Sequence, residues 1–159
     1  MKKYGVWLVV SIFITLFIVG CTPHNERVAH LRINGTLDSL EDAALRQSPE
    51  EILGHYSFPY TYEINNQILV YSREEYLAQI SEHLEIVEIA FFRLEDRHLT
   101  LFDGDTAQVE TIHRIAEIEE GIRYTMTIKA ILTMERTGGV WTISRYAIVD
   151  LLEFTAEPA

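Results

Sequence analysis

The residues of this 159-residue chain that could carry chemistry are its histidines, an arginine near its end, several tyrosines and one cysteine. No two histidines have the i, i+4 spacing of a helical metal site, or the short strand spacing that would replace it. Serine-nucleophile motifs and glycine-rich phosphate loops are also missing from the sequence. We therefore expect no metal and no cofactor. The histidines are His24, His30, His55, His83, His98 and His113.

His113 has the best position for a site in the interior. It lies in period-two register with Val109 and Thr111, so its ring could point to the inside of a sheet. Farther along, Ile112 and Ala116 make the opposite face apolar, which suggests a bulge that switches faces. The pattern favours a surface or rim histidine, with a pocket-facing histidine as the alternative.

Arg145 interrupts the apolar face that Trp141, Ile143 and Ala147 would otherwise form. A buried guanidinium without a partner is very costly, so Arg145 must be paired, solvated or displaced by a bulge. Facing inward, its planar donor fork could bind the carboxylate of a ligand. A structural ion pair with one of the many acids is an equally good interpretation.

The tyrosines have the chemistry of a ligand-pocket wall, which is largely apolar with a few polar groups. The tyrosines concerned are Tyr56, Tyr60, Tyr62, Tyr124 and Tyr146. Aromatic residues at such spacings belong to a core more often than to a binding site. The candidates for a ligand pocket are then Tyr62, His113, Tyr124, Trp141 and Arg145.

The first half of the chain predicts short helices and a hairpin. A helix is expected from Thr36, and a second one from Ser48, where Glu51 would complete a capping box. Two strand-like segments flank Asn65-Asn66, a pair that tolerates the positive φ of a tight turn. A further capping box at Ser72 predicts a third helix.

The second half predicts four long antiparallel strands. Residues 122–135 alternate between apolar and polar side chains, with Ile131 as the exception, which indicates one buried and one wet face. Turn signals at 103–106, 119–121 and 137–139 divide these strands from one another. We expect an α+β fold: a curved mixed or antiparallel sheet of about six strands wraps N-terminal helices into a cone with an interior cavity.

With this order of elements, residues 36–155 resemble the nuclear transport factor 2-like (SnoaL-like) superfamily. The resemblance rests on the hairpin leading to Ser72, on residues 103–109 at a turn, and on residues 138–143, which are similar to the Gly-x-Trp-x-Ile start of the family's last strand. It implies a cavity that serves isomerases, dehydratases, cyclases and hydrolases, or no catalysis at all. The aspartate base of the isomerases is missing around Asn65-Asn66.

Residues 1–20 have the features of a bacterial lipoprotein signal peptide. Lys2 and Lys3 precede an apolar run, and residues 18–21, Ile-Val-Gly-Cys, resemble a lipobox. Cys21 would be lipidated with fatty acyl chains such as palmitate, cleaved at its amino side and held at a membrane of the cell envelope. In a Gram-negative cell Thr22 favours the outer membrane. Residues 21–35 would be a polar tether, and an uncleaved membrane anchor is the alternative.

Charge excludes some partners. Removal of residues 1–20 would move the net charge from −11 to −13, and no cluster of basic residues occurs, so nucleic acid is not expected. The sequence favours a non-enzymatic envelope lipoprotein that binds a small apolar or carboxylate ligand, or a partner protein, or a second copy of itself. The alternatives are a small isomerase, dehydratase or hydrolase, or a scaffold subunit of an envelope assembly.

Overall fold

The computed structural model describes the backbone of residues 4–159 and the side chains of residues 25–159. Cys21 and the lipobox lie outside the residues whose side chains are described. Among the residues described in full, no helix has the length and apolarity needed to span a bilayer. The elements are α1 (Tyr4–Leu45), α2 (Pro49–Leu53), β1 (Tyr56–Ile64), β2 (Gln67–Tyr71), α3 (Arg73–Ile86), β3 (Glu88–Asp103), β4 (Thr106–Glu119), β5 (Ile122–Thr137) and β6 (Val140–Pro158).

The six strands form one curved sheet in the order β2-β1-β6-β5-β4-β3. All neighbouring strands are antiparallel except β1 and β6, which are parallel. The helices cover the concave side, and the main core lies between α1 and the middle of the sheet. The α+β cone that the sequence predicted is confirmed.

Local signals in the sequence explain the hairpin and α3. Asn65 and Asn66 both have positive φ, 50° and 63°, as a two-residue turn between twisted strands requires. At the start of α3, Ser72 accepts a hydrogen bond from the Glu75 amide, and the Glu75 carboxylate accepts one from the Ser72 amide. The predicted capping box at Ser72 is therefore confirmed.

The predicted capping box of α2 is wrong. Ser48 precedes the helix, but its side chain makes no capping hydrogen bond. The Glu51 carboxylate is instead paired with the guanidinium of Arg46, which lies just beyond α1. Because a charged partner competes for the carboxylate, the reciprocal bond to the Ser48 amide is not made.

The start of the folded domain also differs from the expectation. Ile33 and Ala29 are buried in the core about one and two turns upstream of Thr36, the residue expected to cap the first helix. The Thr36 hydroxyl donates to the carbonyl of Arg32 within α1 instead of capping a helix. The tether predicted for residues 21–35 is therefore wrong from Ala29 onward. A narrow apolar stripe among polar residues is enough to bury one helix face.

A buried carboxylate fixes α1 against β3. Glu41, which is only 3% exposed, accepts hydrogen bonds from the Leu94 amide (2.7 Å), from Arg97 (2.6 Å) and from Arg93 (3.0 Å). The contact lies beside a bulge of β3 in which Asp96 has a φ of 49°. Since each carboxylate oxygen has a cationic partner, the desolvation cost of the buried charge is offset.

Candidate ligand-binding site

A cavity of about 700 Å³ opens between the helices and the concave side of the sheet, within the usual range for small-molecule pockets. Its walls come from α1, α3, β1, β3, β4, β5 and β6, and most of the lining side chains are apolar or aromatic. The exposed lining residues Asn65, Val149, Asp150 and Leu151 mark its mouth. The sequence predicted such a cavity, and of its five candidate lining residues Tyr62 and His113 do line it.

A second compartment of about 430 Å³ adjoins the first beneath α3. The two share lining residues, among them Tyr56, Tyr62, Tyr76 and Phe92. No residue of α3 is fully buried, and the helix only partly packs Tyr76, Ile80 and Leu84 against the core. A helix with so little buried surface covers this compartment without filling it.

His113 lines the cavity and is buried, with only 3% of its surface exposed. Its Nδ1 lies 3.2 Å from the hydroxyl of Tyr146, and its Nε2 has no hydrogen-bond partner. Burial, together with the positive charge of Arg97, lowers the pKa of His113 to about 3. The imidazole is thus neutral at pH 7 and has one ring nitrogen free for a ligand.

The preference of the sequence for a rim histidine is wrong, for a reason of register. The pairing of β4 with β5 is continuous from Thr106 to Glu119, so no bulge against β5 switches the faces of β4. His113 therefore stays on the same inner face as Val109 and Thr111.

Arg145 is carried away from the cavity by a bulge in β6. On β5, Met134 pairs with Ile143, whereas the residue before it, Thr133, pairs with Arg145. Two positions of β6 therefore separate partners that are adjacent on β5, so β6 has one extra residue at this point. The guanidinium is half-exposed and forms an ion pair with Glu63 on β1. Of the alternatives left open for Arg145, the inward carboxylate-binding one is wrong.

The same bulge directs Tyr146 inward, a tyrosine that the sequence suggested for a pocket wall but that was not among the five pocket candidates. Its ring stacks on Tyr62 with centroids 5.5 Å apart and planes 15° from parallel. The same ring meets His113 in an edge-to-face arrangement, with centroids 5.0 Å apart. Burial raises the pKa of Tyr146 well above its usual range and also raises the pKa of Tyr62. Both phenols remain protonated at neutral pH.

A second aromatic group lies where the two compartments meet. The centroid of the Tyr76 ring lies 5.1 Å from that of Tyr56 and 4.7 Å from that of Tyr60. Burial raises the pKa of Tyr76 to about 12 and raises those of Tyr56 and Tyr60 further. Like Tyr62 and Tyr146, these side chains present uncharged rings and hydroxyls.

Trp141 and Tyr124, also predicted for the pocket, do not line it. Trp141 is buried in the core beneath α1. Its ring centroid lies 6.4 Å from that of Phe102, and the ring lies under the Arg136 guanidinium. Tyr124 stacks on Phe154 near the far end of β5 and β6. Of the five predicted pocket residues, the structure brings only Tyr62 and His113 together.

The charged groups in the cavity wall are acidic. Glu117 and Asp150 line the main compartment, and the carboxylate of Glu117 lies 3.1 Å from Nε2 of His83. No lysine or arginine is among the described residues that line either compartment. Within the fully described part of the chain, no three metal-ligating side chains converge on one point.

No family model and no curated protein matches the sequence. Solved structures do match the fold. A candidate scytalone dehydratase from Novosphingobium aromaticivorans superposes with a TM-score of 0.74 at 11% identity, over 86% of this chain and 93% of that chain. A type 2 hexachlorocyclohexane dehydrochlorinase gives a TM-score of 0.68 at 12% identity, over 86% and 94% of the two chains.

A ketosteroid isomerase-like protein from Erwinia carotovora atroseptica matches with a TM-score of 0.59 at 15% identity, over 76% of this chain and 95% of that chain. At such low identities these likenesses concern the backbone and its topology, and they transfer no activity. They agree with the order of the elements and with the curved sheet closed by helices. The chain has the nuclear transport factor 2-like fold.

Proposed function

We propose that this chain is an exported lipoprotein whose domain binds a small, largely apolar molecule in the cavity between helices and sheet. The observation that carries the binding function is the combination of a 700 Å³ cavity with the buried, unpartnered Nε2 of His113 in its wall. A buried polar atom without a partner costs free energy, and a ligand that bonds to it would recover that cost.

The unfilled cavity also distinguishes this proposal from a scaffold. A subunit used only for assembly has no need of an interior space, and filling the space would stabilise the domain. Apolar residues are exposed at the end of β6, namely Val149, Leu151, Leu152 and Phe154. Val149 and Leu151 belong to the mouth of the cavity, so part of this surface is accounted for by access to the ligand site.

Catalysis is the alternative that the structural neighbours bring to mind, since one is described as a dehydratase and another as isomerase-like. A general base works best with a pKa near the working pH. The pKa of His113, about 3, makes it a weak proton acceptor at pH 7, and the raised pKa of Tyr146 makes that phenol a weak acid. His113 and Tyr146 are therefore suited to hydrogen bonding with a ligand.

The binding function is tested by native mass spectrometry of the full chain purified from its membrane in mild detergent. We expect a co-purifying small molecule. Ile148→Trp places a larger side chain in the cavity wall and should remove the bound mass. Ile131→Trp is the matched control, because Ile131 is equally half-buried but lies on the opposite face of the sheet. An adduct retained by both variants, or no adduct on the wild-type chain, would refute binding in this cavity.

The lipid anchor rests on the lipobox-like residues 18–21 and is tested separately. Cys21→Ser removes the thiol that would carry the lipid. We expect metabolic labelling with palmitate to be lost and the uncleaved precursor to accumulate in the membrane. Processing of the variant to the same size as the wild-type protein would contradict the proposal.

A further inference from the structure

We propose that the ligand of this cavity carries a positive charge, and that the site takes an organic ammonium ion with an apolar or aromatic body. The inference deepens the proposed binding function and rests on it. The cavity wall combines carboxylates, uncharged aromatic rings and an uncharged, unpartnered imidazole. Each of the three favours a cation over an anion, for a different physical reason.

The first reason is the sign of the charge around the cavity. Glu117 and Asp150 line it, and the described lining of both compartments contains no lysine or arginine. Two arginines on strands of the same sheet are engaged elsewhere. Arg145 pairs with Glu63 on the other face of the sheet, and Arg97 pairs with Asp38 and Glu41. An anionic group would enter without a cationic partner, which is costly at a site away from water.

The second reason is the density of tyrosines, since six of them line the two compartments. The face of an aromatic ring carries the negative part of its quadrupole, and a desolvated cation in an aromatic-lined cavity is attracted to such faces. Their phenols stay protonated, because burial raises the pKa of Tyr76 and of Tyr146. The six are Tyr56, Tyr60, Tyr62, Tyr71, Tyr76 and Tyr146.

The third reason is His113, which is buried and neutral. When its Nδ1–H donates to the hydroxyl of Tyr146, the lone pair of Nε2 is left as an acceptor for an ammonium N–H. A protonated histidine at this position would repel a cation, but the lowered pKa of His113 keeps the ring uncharged. The unpartnered Nε2 of His113 thus fits the same ligand as the acidic lining.

Three probes with the same body and different charge test this inference on the full chain in mild detergent. They are 4-phenylbutylammonium, its neutral isostere pentylbenzene, and the anion 5-phenylpentanoate. Equilibrium dialysis against the same detergent solution measures the excess of each probe that the protein holds. We expect the ammonium ion to bind on the order of tenfold more tightly than pentylbenzene, with no detectable binding of the carboxylate.

Charge variants locate the effect. Glu117→Gln should weaken binding of the ammonium probe several-fold and leave pentylbenzene binding unchanged. Asp150→Asn, at the exposed mouth and opposite Lys129 in the sheet register, should have a smaller effect on the ammonium probe and none on pentylbenzene. Glu153→Gln is the control, because Glu153 is an exposed carboxylate on β6 that does not line the cavity. Melting temperatures of the three variants exclude a loss of fold. Glu117→Gln changes the contact between Glu117 and His83 and could lower the stability of the fold. Asp150 is exposed, so Asp150→Asn is expected to fold in either case.

The outcomes separate this inference from the binding function. Equal affinities for the three probes, or tightest binding of the carboxylate, would overturn the inference about charge while the cavity remains a binding site. Absence of ammonium binding, in a protein whose co-purified ligand is lost in Ile148→Trp, would overturn the charge inference alone. Absence of both the co-purified ligand and all probe binding would overturn the two together.

Discussion

Replacement of His113 by glutamine tests whether the histidine is buried and neutral in the folded protein. Burial lowers its pKa to about 3, whereas an unperturbed histidine in the unfolded chain titrates near 6.5. Between these two pH values the unfolded chain binds a proton that the folded chain does not bind. Protons therefore favour unfolding, and stability falls as the pH falls through 6.5.

The magnitude follows from the size of that window. Each pH unit below about 6.5 costs about 1.4 kcal/mol of unfolding free energy, so at pH 5 the loss due to His113 is about 2 kcal/mol relative to pH 8. His113→Gln cannot titrate and lacks this term. His55, the other histidine with a lowered pKa, is present in both proteins, and its contribution cancels in the comparison.

The assay is urea unfolding of the wild-type chain and of His113→Gln at several pH values from 8 to 5, followed by circular dichroism. The variant has its own constant offset, because it changes the contact with Tyr146, so the comparison uses the pH dependence alone. We expect the wild-type chain to lose about 2 kcal/mol more unfolding free energy than His113→Gln between pH 8 and pH 5. Parallel curves would refute the argument, since they would mean that His113 is as easily protonated in the fold as in the unfolded chain.

Three further substitutions test the packing and the ion pairs by urea unfolding. Ile128→Ala should lower the unfolding free energy by about 2–3 kcal/mol, toward the lower end for a buried isoleucine because part of its side chain already faces the cavity. Thr127→Ala, on the other face, should change it by no more than about 0.5 kcal/mol. Equal losses would mean that both faces are packed alike. Glu41→Ala should cost about 3–5 kcal/mol, because it leaves buried donors without an acceptor, and a loss below about 1 kcal/mol would contradict its role in holding α1 on β3. Arg145→Met should change stability by less than about 1 kcal/mol and leave ligand binding intact, since its partner Glu63 lies with it outside the cavity; loss of binding would place Arg145 in the site after all.

Local signals in the sequence were sufficient for the type and order of most elements. The hairpin follows from two asparagines that tolerate positive φ, and the start of α3 follows from the reciprocal bonds between Ser72 and Glu75. The alternation along β5 predicted its buried residues, including Ile128 and Leu132. Each of these features depends on residues within a few positions of one another, so the sequence alone contains the relevant interactions.

The start of the domain was not predictable in the same way. Ala29 and Ile33 are separated by polar residues, and the helix face that they form is apolar only along a narrow stripe. Nothing local distinguishes such a stripe from a polar tether. The sheet that the stripe packs against is formed by segments far along the chain, so only the tertiary structure shows that it is buried.

The site itself was decided by register. Whether His113 or Arg145 faces the cavity depends on whether the strand that carries it shifts its register by one residue against β5. A shift of one residue exchanges the two faces of a strand. Composition and spacing identified a histidine, an arginine and tyrosines as candidates, and they limited the chemistry to groups of those types. The continuous pairing of β4 turned His113 inward, while the bulge of β6 exchanged Arg145 for Tyr146. Strand pairing is a contact between distant segments, so this choice was made by the tertiary structure and not by the local sequence.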